Sequence, residues 1–219
     1  MAGRVAREGD VEPNAREALV AAAVELFARR GYGGTSLQQV AERVGIQKGS
    51  IAYHFETKAE LAFAAYWSVV GGPAELLRPL AAQDPPTLEG FLAAVDRLVD
   101  AAAQRPDAAR LGLRLMVDQV EPARSIDPRD RSHPVVELLT LLSSWLVRAQ
   151  HAGAVRRGDP RHLLIHVLGL LLFYPAIAHD VGAALLEADP FSEAQVRTWK
   201  RELRNVLMGA LSPASGAKR

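Results

Sequence analysis

Residues Leu37 to Phe55, LQQVAERVGIQKGSIAYHF, constrain the fold of this chain more than any other stretch. Leu37, Val40, Ala41 and Val44 recur at i, i+3, i+4 and i+7, the apolar face of a short helix. Gly45 follows the last of them, where a helix stop and a tight turn favour a residue that accepts positive φ. A second short helix opens at Gln47 and turns Ile51 inward, leaving Gln47, Lys48, Ser50, Tyr53 and His54 outside. Ala41 is small because that second helix crosses close over it. Two short helices joined by a glycine turn of about three to four residues set the second one into a DNA major groove. DNA is therefore the first partner to consider.

Composition bounds the rest. The chain has 219 residues, 49% of them hydrophobic, enough for one sizeable core or for one small and one larger domain. It has no cysteine, so disulfides and thiolate metal sites are excluded. The first residues, MAGRVAREGDVEPNAR, lack the apolar core of a signal peptide. The longest apolar run, Leu163 to Ile177, is broken by His166 and is short of the ~20 residues a bilayer span takes. A soluble, cytoplasmic protein without membrane partners is expected. Net charge is only +1, and basic and acidic residues balance within residues 1–60. Any basic footprint must come from placement.

Helix signals continue along the chain, and no strand pattern interrupts them. Residues 1–13 read as a flexible arm, with Arg4 and Arg7 in reach of a minor groove. Asn14 with Glu17 marks the start of a helix whose stripe is Leu19, Ala22, Ala23, Leu26 and Phe27, stopped at Gly31. Thr35 and Ser36 are both placed to cap the next helix, with Gln38 and Gln39 three residues on from each. A fourth helix opens at Lys58 and is expected to bend at Gly71-Gly72-Pro73. Further helices are predicted from Thr87 to about Ala103, Asp107 to Val120, Pro134 to His151, Pro160 to a frayed end near His179, and Ser192 to Leu207. A long loop is expected from Glu121 to Pro134. The fold class is all-α: an N-terminal three-helix helix-turn-helix head over residues 14–60, a larger helical ligand-binding and dimerisation domain over 61–211, and a disordered tail over 212–219.

The head resembles the DNA-binding domain of the TetR family of bacterial transcriptional regulators. The carrying residues are Ala23, Phe27, Gly31-Tyr32, Thr35, Val40-Ala41, Val44-Gly45-Ile46, Gly49, Ile51, His54-Phe55, Lys58 and Leu61. One position departs: family members often have a backbone-contacting tyrosine where Ala52 stands, and here Tyr53 follows instead.

Chemistry assigns roles within the head. Gln47 and Lys48 open the recognition helix, where glutamine pairs with adenine and lysine with guanine in the major groove. Ser50 is small enough to meet a base or phosphate. Tyr53, His54 and Lys58 are expected on phosphates, and the resemblance adds Thr35. A structural alternative stands beside three of these: Tyr53 and His54 as residues packed between helices, His54 next to Phe55, and Gln47 as a solvated helix start.

The resemblance also implies a double-stranded DNA operator, a homodimer and a small-molecule effector that moves the fourth helix, with repression as the outcome. The dimer is expected through helices at about 160–178 and 192–208, since Leu163 to Ile177 is apolar all round and Val196, Trp199, Leu203, Val206 and Leu207 follow at helical spacing. Two recognition helices then sit about 34–36 Å apart on a palindrome. Candidate effector-lining residues are Trp67, Phe91, Leu115, Met116, Trp145 and Phe173, with Arg114, Gln119, His133 and His166 as polar orienters and an apolar or aromatic effector expected. Each is also readable as ordinary core. His162 and His166 have zinc-ligand spacing without a third ligand at a suggestive spacing, though Asp159 and His179 are candidate partners in space, and neither a metal nor a cofactor is expected. The competing class, a helical enzyme or carrier with an incidental helix-turn-helix, finds no Gly-rich phosphate loop, GxSxG or HExxH to support it.

Overall fold

A computed structural model describes residues 13–117 and 127–213, and among them the chain forms ten α-helices and no strand. The helix α1 (Pro13–Arg30) begins one residue before the start signalled at Asn14, because proline has no amide hydrogen to lose in a first turn. The expected arm lies outside the described residues as far as residue 12. Gly31 ends α1 at φ +75°, its amide bonded to the Phe27 carbonyl at 2.9 Å.

Ser36, not Thr35, caps α2 (Leu37–Val44). The Ser36 hydroxyl accepts from the Gln39 amide at 3.2 Å, and the Gln39 side chain accepts from the Ser36 amide at 2.9 Å. Gly45 adopts φ +81°, which lets the Ile46 amide reach back to the Ala41 carbonyl at 3.0 Å. The short helix α3 (Lys48–His54) follows, with Gln47 at its N-cap and Ile51 buried.

Thr57 caps α4 (Lys58–Ala81), which runs unbroken through Gly71-Gly72-Pro73 and Pro79. The helix stays continuous where a weakening or bend is expected because burial outweighs propensity: Val70, Ala74, Leu77 and Leu80 are all buried. Glycine costs a helix interior about 1 kcal/mol and proline about 3 kcal/mol. Burying one large apolar side chain is worth about 1.5–3 kcal/mol, so several together offset both. The helices α5 (Leu88–Gln104), capped by Thr87, and α6 (Pro106–Val117) come next. The expected end of α6 at Val120, Gln119, and the first part of the loop from Glu121 lie outside the described residues.

His133 caps α7 (Pro134–His151), and Asp159 caps α8 (Pro160–Ile177). Instead of fraying near His179, the chain continues through a π-helical turn, Ala178–Gly182, into α9 (Ala183–Leu186). The last helix, α10 (Glu193–Leu211), extends one turn beyond Leu207, and the Arg156 amide binds its terminal Leu211 carbonyl at 2.8 Å. Ser212, expected in the disordered tail, is the C-cap of α10, and residues 214–219 lie outside the described set.

Two apolar clusters organise these helices. The upper one joins Leu19, Phe27, Val40, Ile51 and Phe55 of the head to Leu61, Tyr66 and Val70 of α4, Leu111 and Leu115 of α6, and Val135 of α7. The lower one gathers Leu77, Phe91, Leu92, Trp145, Leu163, Trp199 and Leu203 from α4, α5, α7, α8 and α10. The division expected at residues 60/61 is therefore not a division of the core. The head shares its interior with three helices of the body.

Candidate nucleic-acid interface

The outward face of α3 is set by what lies under it. Ile51 and Phe55 are buried against α1 and α2, and this turns Gln47, Ser50 and Tyr53 to solvent on the opposite side. Tyr53 is 78% exposed and meets the half-buried His54 ring edge-on at 5.4 Å. Gly49 has open space where a Cβ would stand, and Ala52 is exposed. Lys48 is the first residue of α3; its side chain lies outside the described set. These positions form one small polar and aromatic surface on a helix fixed by its neighbours.

Two expected phosphate ligands are placed differently. Thr35 is 2% exposed, and its hydroxyl donates inward to the Leu26 and Gly31 carbonyls at 3.3 and 3.0 Å. It ties the turn to α1 and does not reach the surface as a hydroxyl donor. A β-branched threonine following a turn can satisfy a carbonyl four residues back, and that is what happens here. Lys58 is half-buried, its ammonium donating to the Tyr32 and Thr35 carbonyls at 3.0 and 3.1 Å and lying 4.2 Å above the Tyr32 ring. It staples α4 to the turn between α1 and α2. That turn is tight: a Cβ on Gly34 would lie within 2.4 Å of the Arg30 carbonyl oxygen, so only glycine fits.

An open depression at the N-terminus of α2 is lined by residues 33–39 and Lys58. First-turn amides have no intrahelical acceptor, so such an end favours an anion. Arg43, in the last turn of α2, is held by Glu25 of α1 at 2.9 Å. Its charge is partly neutralised there.

The expected effector residues do not gather in one place. Phe91 and Trp145 stack at 4.7 Å within the lower core beside a very small apolar cavity. Phe173 points outward at 59% exposure, since α8 buries Leu163, Val167, Leu171 and Pro175 and turns its other side to solvent. His162 and His166 are exposed. Arg114 is used on α1, its guanidinium donating to the Ala28 carbonyl at 3.4 Å. Leu115 is upper-core packing, and the Met116 side chain lies outside the described set.

Trp67 and His133 do come together, and with a residue not singled out from sequence, Tyr66. The Trp67 and His133 rings are 4.9 Å apart, and Tyr66 lies 6.0 Å from His133. Tyr66 Oη, Trp67 Nε1 and His133 Nε2 are buried without a hydrogen-bond partner. Each buried polar group left unmade costs about 1–3 kcal/mol. Burial pushes the Tyr66 phenol up to about 12, so it stays protonated. From sequence, a tyrosine at helical spacing beside Ala65 reads only as core.

On α8 and α10, Ile165, Leu170, Leu172, Phe173, Val206 and Met208 are exposed large apolar side chains. Trp199, Leu203 and Leu207, expected in the subunit contact, are instead buried in the chain's own core, with Tyr174 stacked on Trp199 at 4.1 Å. By length and composition α8 is also apolar enough to cross a membrane, with mean hydropathy 1.4.

Comparison with known proteins agrees with this geometry. Residues 19–65 match the family of bacterial regulatory proteins, tetR family. The HTH-type transcriptional regulator RutR of Escherichia coli strain K12 is 25% identical over 177 residues, covering 77% of each chain. A solved structure described as the molecular basis for control of antibiotic production by bacterial hormones is 28% identical. It covers 91% of this chain and 98% of that one, with a TM-score of 0.62. A gamma-butyrolactone receptor, an ArpA-like protein, shares the fold at TM-score 0.63 and 22% identity, over 87% of this chain and 96% of that one. The matched segment spans the helix pair and its supports, from Leu19 in α1 to Ala65 in α4, and the all-helical body continues the likeness beyond it: residues 19–65 are a DNA-binding domain of the tetR family of bacterial regulatory proteins, and the chain as a whole is similar to DNA-binding transcriptional regulators.

Proposed function

We propose that this chain is a cytoplasmic repressor that binds a palindromic operator as a homodimer and leaves it when a small apolar molecule binds the body. The exposed face of α3 carries the proposal: Gln47, Ser50 and Tyr53 stand clear of a helix locked by Ile51 and Phe55. Gln47 and Lys48 read base edges. Ser50, Tyr53, His54 and the amide end of α2 beside Lys58 hold phosphates, with Thr35 acting through the turn it braces. This deepens the part of the α2 terminus over that of any single hydroxyl.

The exposed apolar residues of α8 and α10 support the dimer. Ile165 and Phe173 on α8, with Val206 and Met208 on α10, present a surface that a second copy would cover. His162, His166 and Arg161 on the same exposed helix favour a wet subunit contact over lipid. A ligand-responsive body is supported by the likeness to a gamma-butyrolactone receptor and by unmade hydrogen bonds next to α4.

Fluorescence anisotropy on DNA from upstream of the chain's own gene, run as a salt series, tests the reading. Binding should prefer one palindromic fragment and weaken linearly on a log–log salt plot. Equal affinity for all fragments at every salt concentration would overturn it.

A further inference from the structure

The unmade hydrogen bonds around Tyr66 define a complementary chemistry. His133 Nδ1 accepts from the Val135 amide at 3.2 Å, so the proton of the neutral ring sits on Nε2. Trp67 Nε1 can only donate, and the Tyr66 hydroxyl donates as well. Three buried groups thus offer hydrogen atoms with no acceptor to receive them. Tyr66 is fully buried and His133 is 6% exposed. The three rings pack with centroids 4.9 to 6.4 Å apart, and Phe63, 46% exposed on α4, stands 5.5 Å from Trp67. A file of rings therefore leads from solvent to the donors. Tyr66 lies in an apolar cluster with Val70, Leu111, Leu115 and Val135.

We propose that Tyr66, Trp67 and His133 form the polar end of an effector site, which takes a neutral apolar molecule through its carbonyl oxygen: a lactone, ester or ketone. The inference rests on the ligand-responsive reading above and names its ligand class. It also explains how binding reaches DNA. Tyr66 belongs to the same apolar cluster as Phe27, Ile51 and Phe55, so a molecule seated beside it enters the core that fixes α3. The lower cavity beside Phe91 and Trp145 has no such connection to the head.

The test uses the full chain with γ-decalactone and with the hexyl-substituted tetrahydrofuran that lacks only its carbonyl. Calorimetric titration should show the lactone binding about tenfold or more tightly than the ether, the worth of about one hydrogen bond. Tyr66→Phe and Trp67→Phe should each remove most of that preference. Tyr66→Phe should also melt at or above the parent temperature, because it deletes a buried hydroxyl without a partner. Equal binding of lactone and ether, binding of neither, or decanoate binding more tightly than the lactone would overturn the assignment. So would a loss of several degrees in Tyr66→Phe, or a crystal structure with one water bonded to all three donors. Trp67→Phe reads the same preference independently of the tyrosine variant. Selective DNA binding that survives while lactone selectivity fails overturns this assignment alone; loss of selective DNA binding removes the regulator reading itself.

Discussion

The Lys58 ammonium sits 4.2 Å above the Tyr32 ring and 3.0 Å from the Tyr32 carbonyl oxygen, joining the first turn of α4 to the turn between α1 and α2. A second carbonyl, that of Thr35, shares the same ammonium at 3.1 Å. Lys58→Met keeps the stem and removes the charge. Hydrogen bonds to charged groups are worth about 1.5–3 kcal/mol, and part of that returns as the methionine packs. A loss of about 1–2 kcal/mol in denaturant unfolding is expected. Hydrogen exchange should quicken at residues 33–36, and DNA affinity should fall with it. Unchanged exchange there would show that the staple is dispensable.

Tyr53 and Gln47 should separate affinity from specificity. Tyr53→Phe removes one phosphate donor from an exposed side chain, so affinity should drop about equally on operator and mutant DNA. Gln47→Ala should cost about 1–3 kcal/mol on the preferred operator and little on random DNA. Parallel anisotropy titrations on the two DNAs check both outcomes.

Gly71 and Gly72 have open space where a Cβ would stand. Replacing both with alanine should stabilise α4 by up to about 2 kcal/mol, the summed helix preference. Thermal unfolding measures the gain. A loss would mean that the helix needs glycine there for backbone reasons.

Asp159 caps α8 through the Arg161 amide at 2.9 Å. Its hydrogen bonds to the Arg161 side chain, then to that amide, pull its carboxyl down from the usual 3.8 to about 2. A lowered pKa stabilises the folded state above the ordinary carboxylate range and loses that contribution as pH falls through the folded value. Exchange protection in the first turn of α8 should therefore decline between about pH 4 and 2. Asp159→Asn, which still caps but does not titrate, should flatten that decline.

Phe173→Glu places a charge on the exposed apolar side of α8. The dimer should dissociate at concentrations about a hundredfold higher than for the parent chain, as for a charge buried without a partner. Sedimentation equilibrium reads the shift, and operator binding should weaken in parallel. An unchanged dimer would move the subunit contact elsewhere.

Much of the head was legible because its signals are local. The Ser36 to Gln39 cap, the positive φ at Gly45 and the inward Ile51 all follow from residue type and spacing. Thr35 was not legible as an inward residue, since serine and threonine offer the same hydroxyl one position apart. Which of them faces out depends on the Leu26 and Gly31 carbonyls of a different element. The apolar circumference of α8 signalled burial but not its direction, so Phe173 looked like a lining residue and stands outside. The donors at Tyr66, Trp67 and His133 come from two helices far apart in sequence, and no spacing rule pairs them.

The upper core has a consequence for how such a regulator acquires a new operator. Phe27, Ile51 and Phe55 share one apolar cluster with Tyr66, Leu111 and Val135, residues that a graft of the first 60 positions would leave behind. A transplanted head would expose that apolar surface or meet a mismatched one. Exchange of whole modules between such proteins is therefore costly, whereas replacement of Gln47, Ser50 or Tyr53 disturbs no buried neighbour. Divergence in operator choice should accumulate as point changes along one face of α3, with the body that reads the signal left in place.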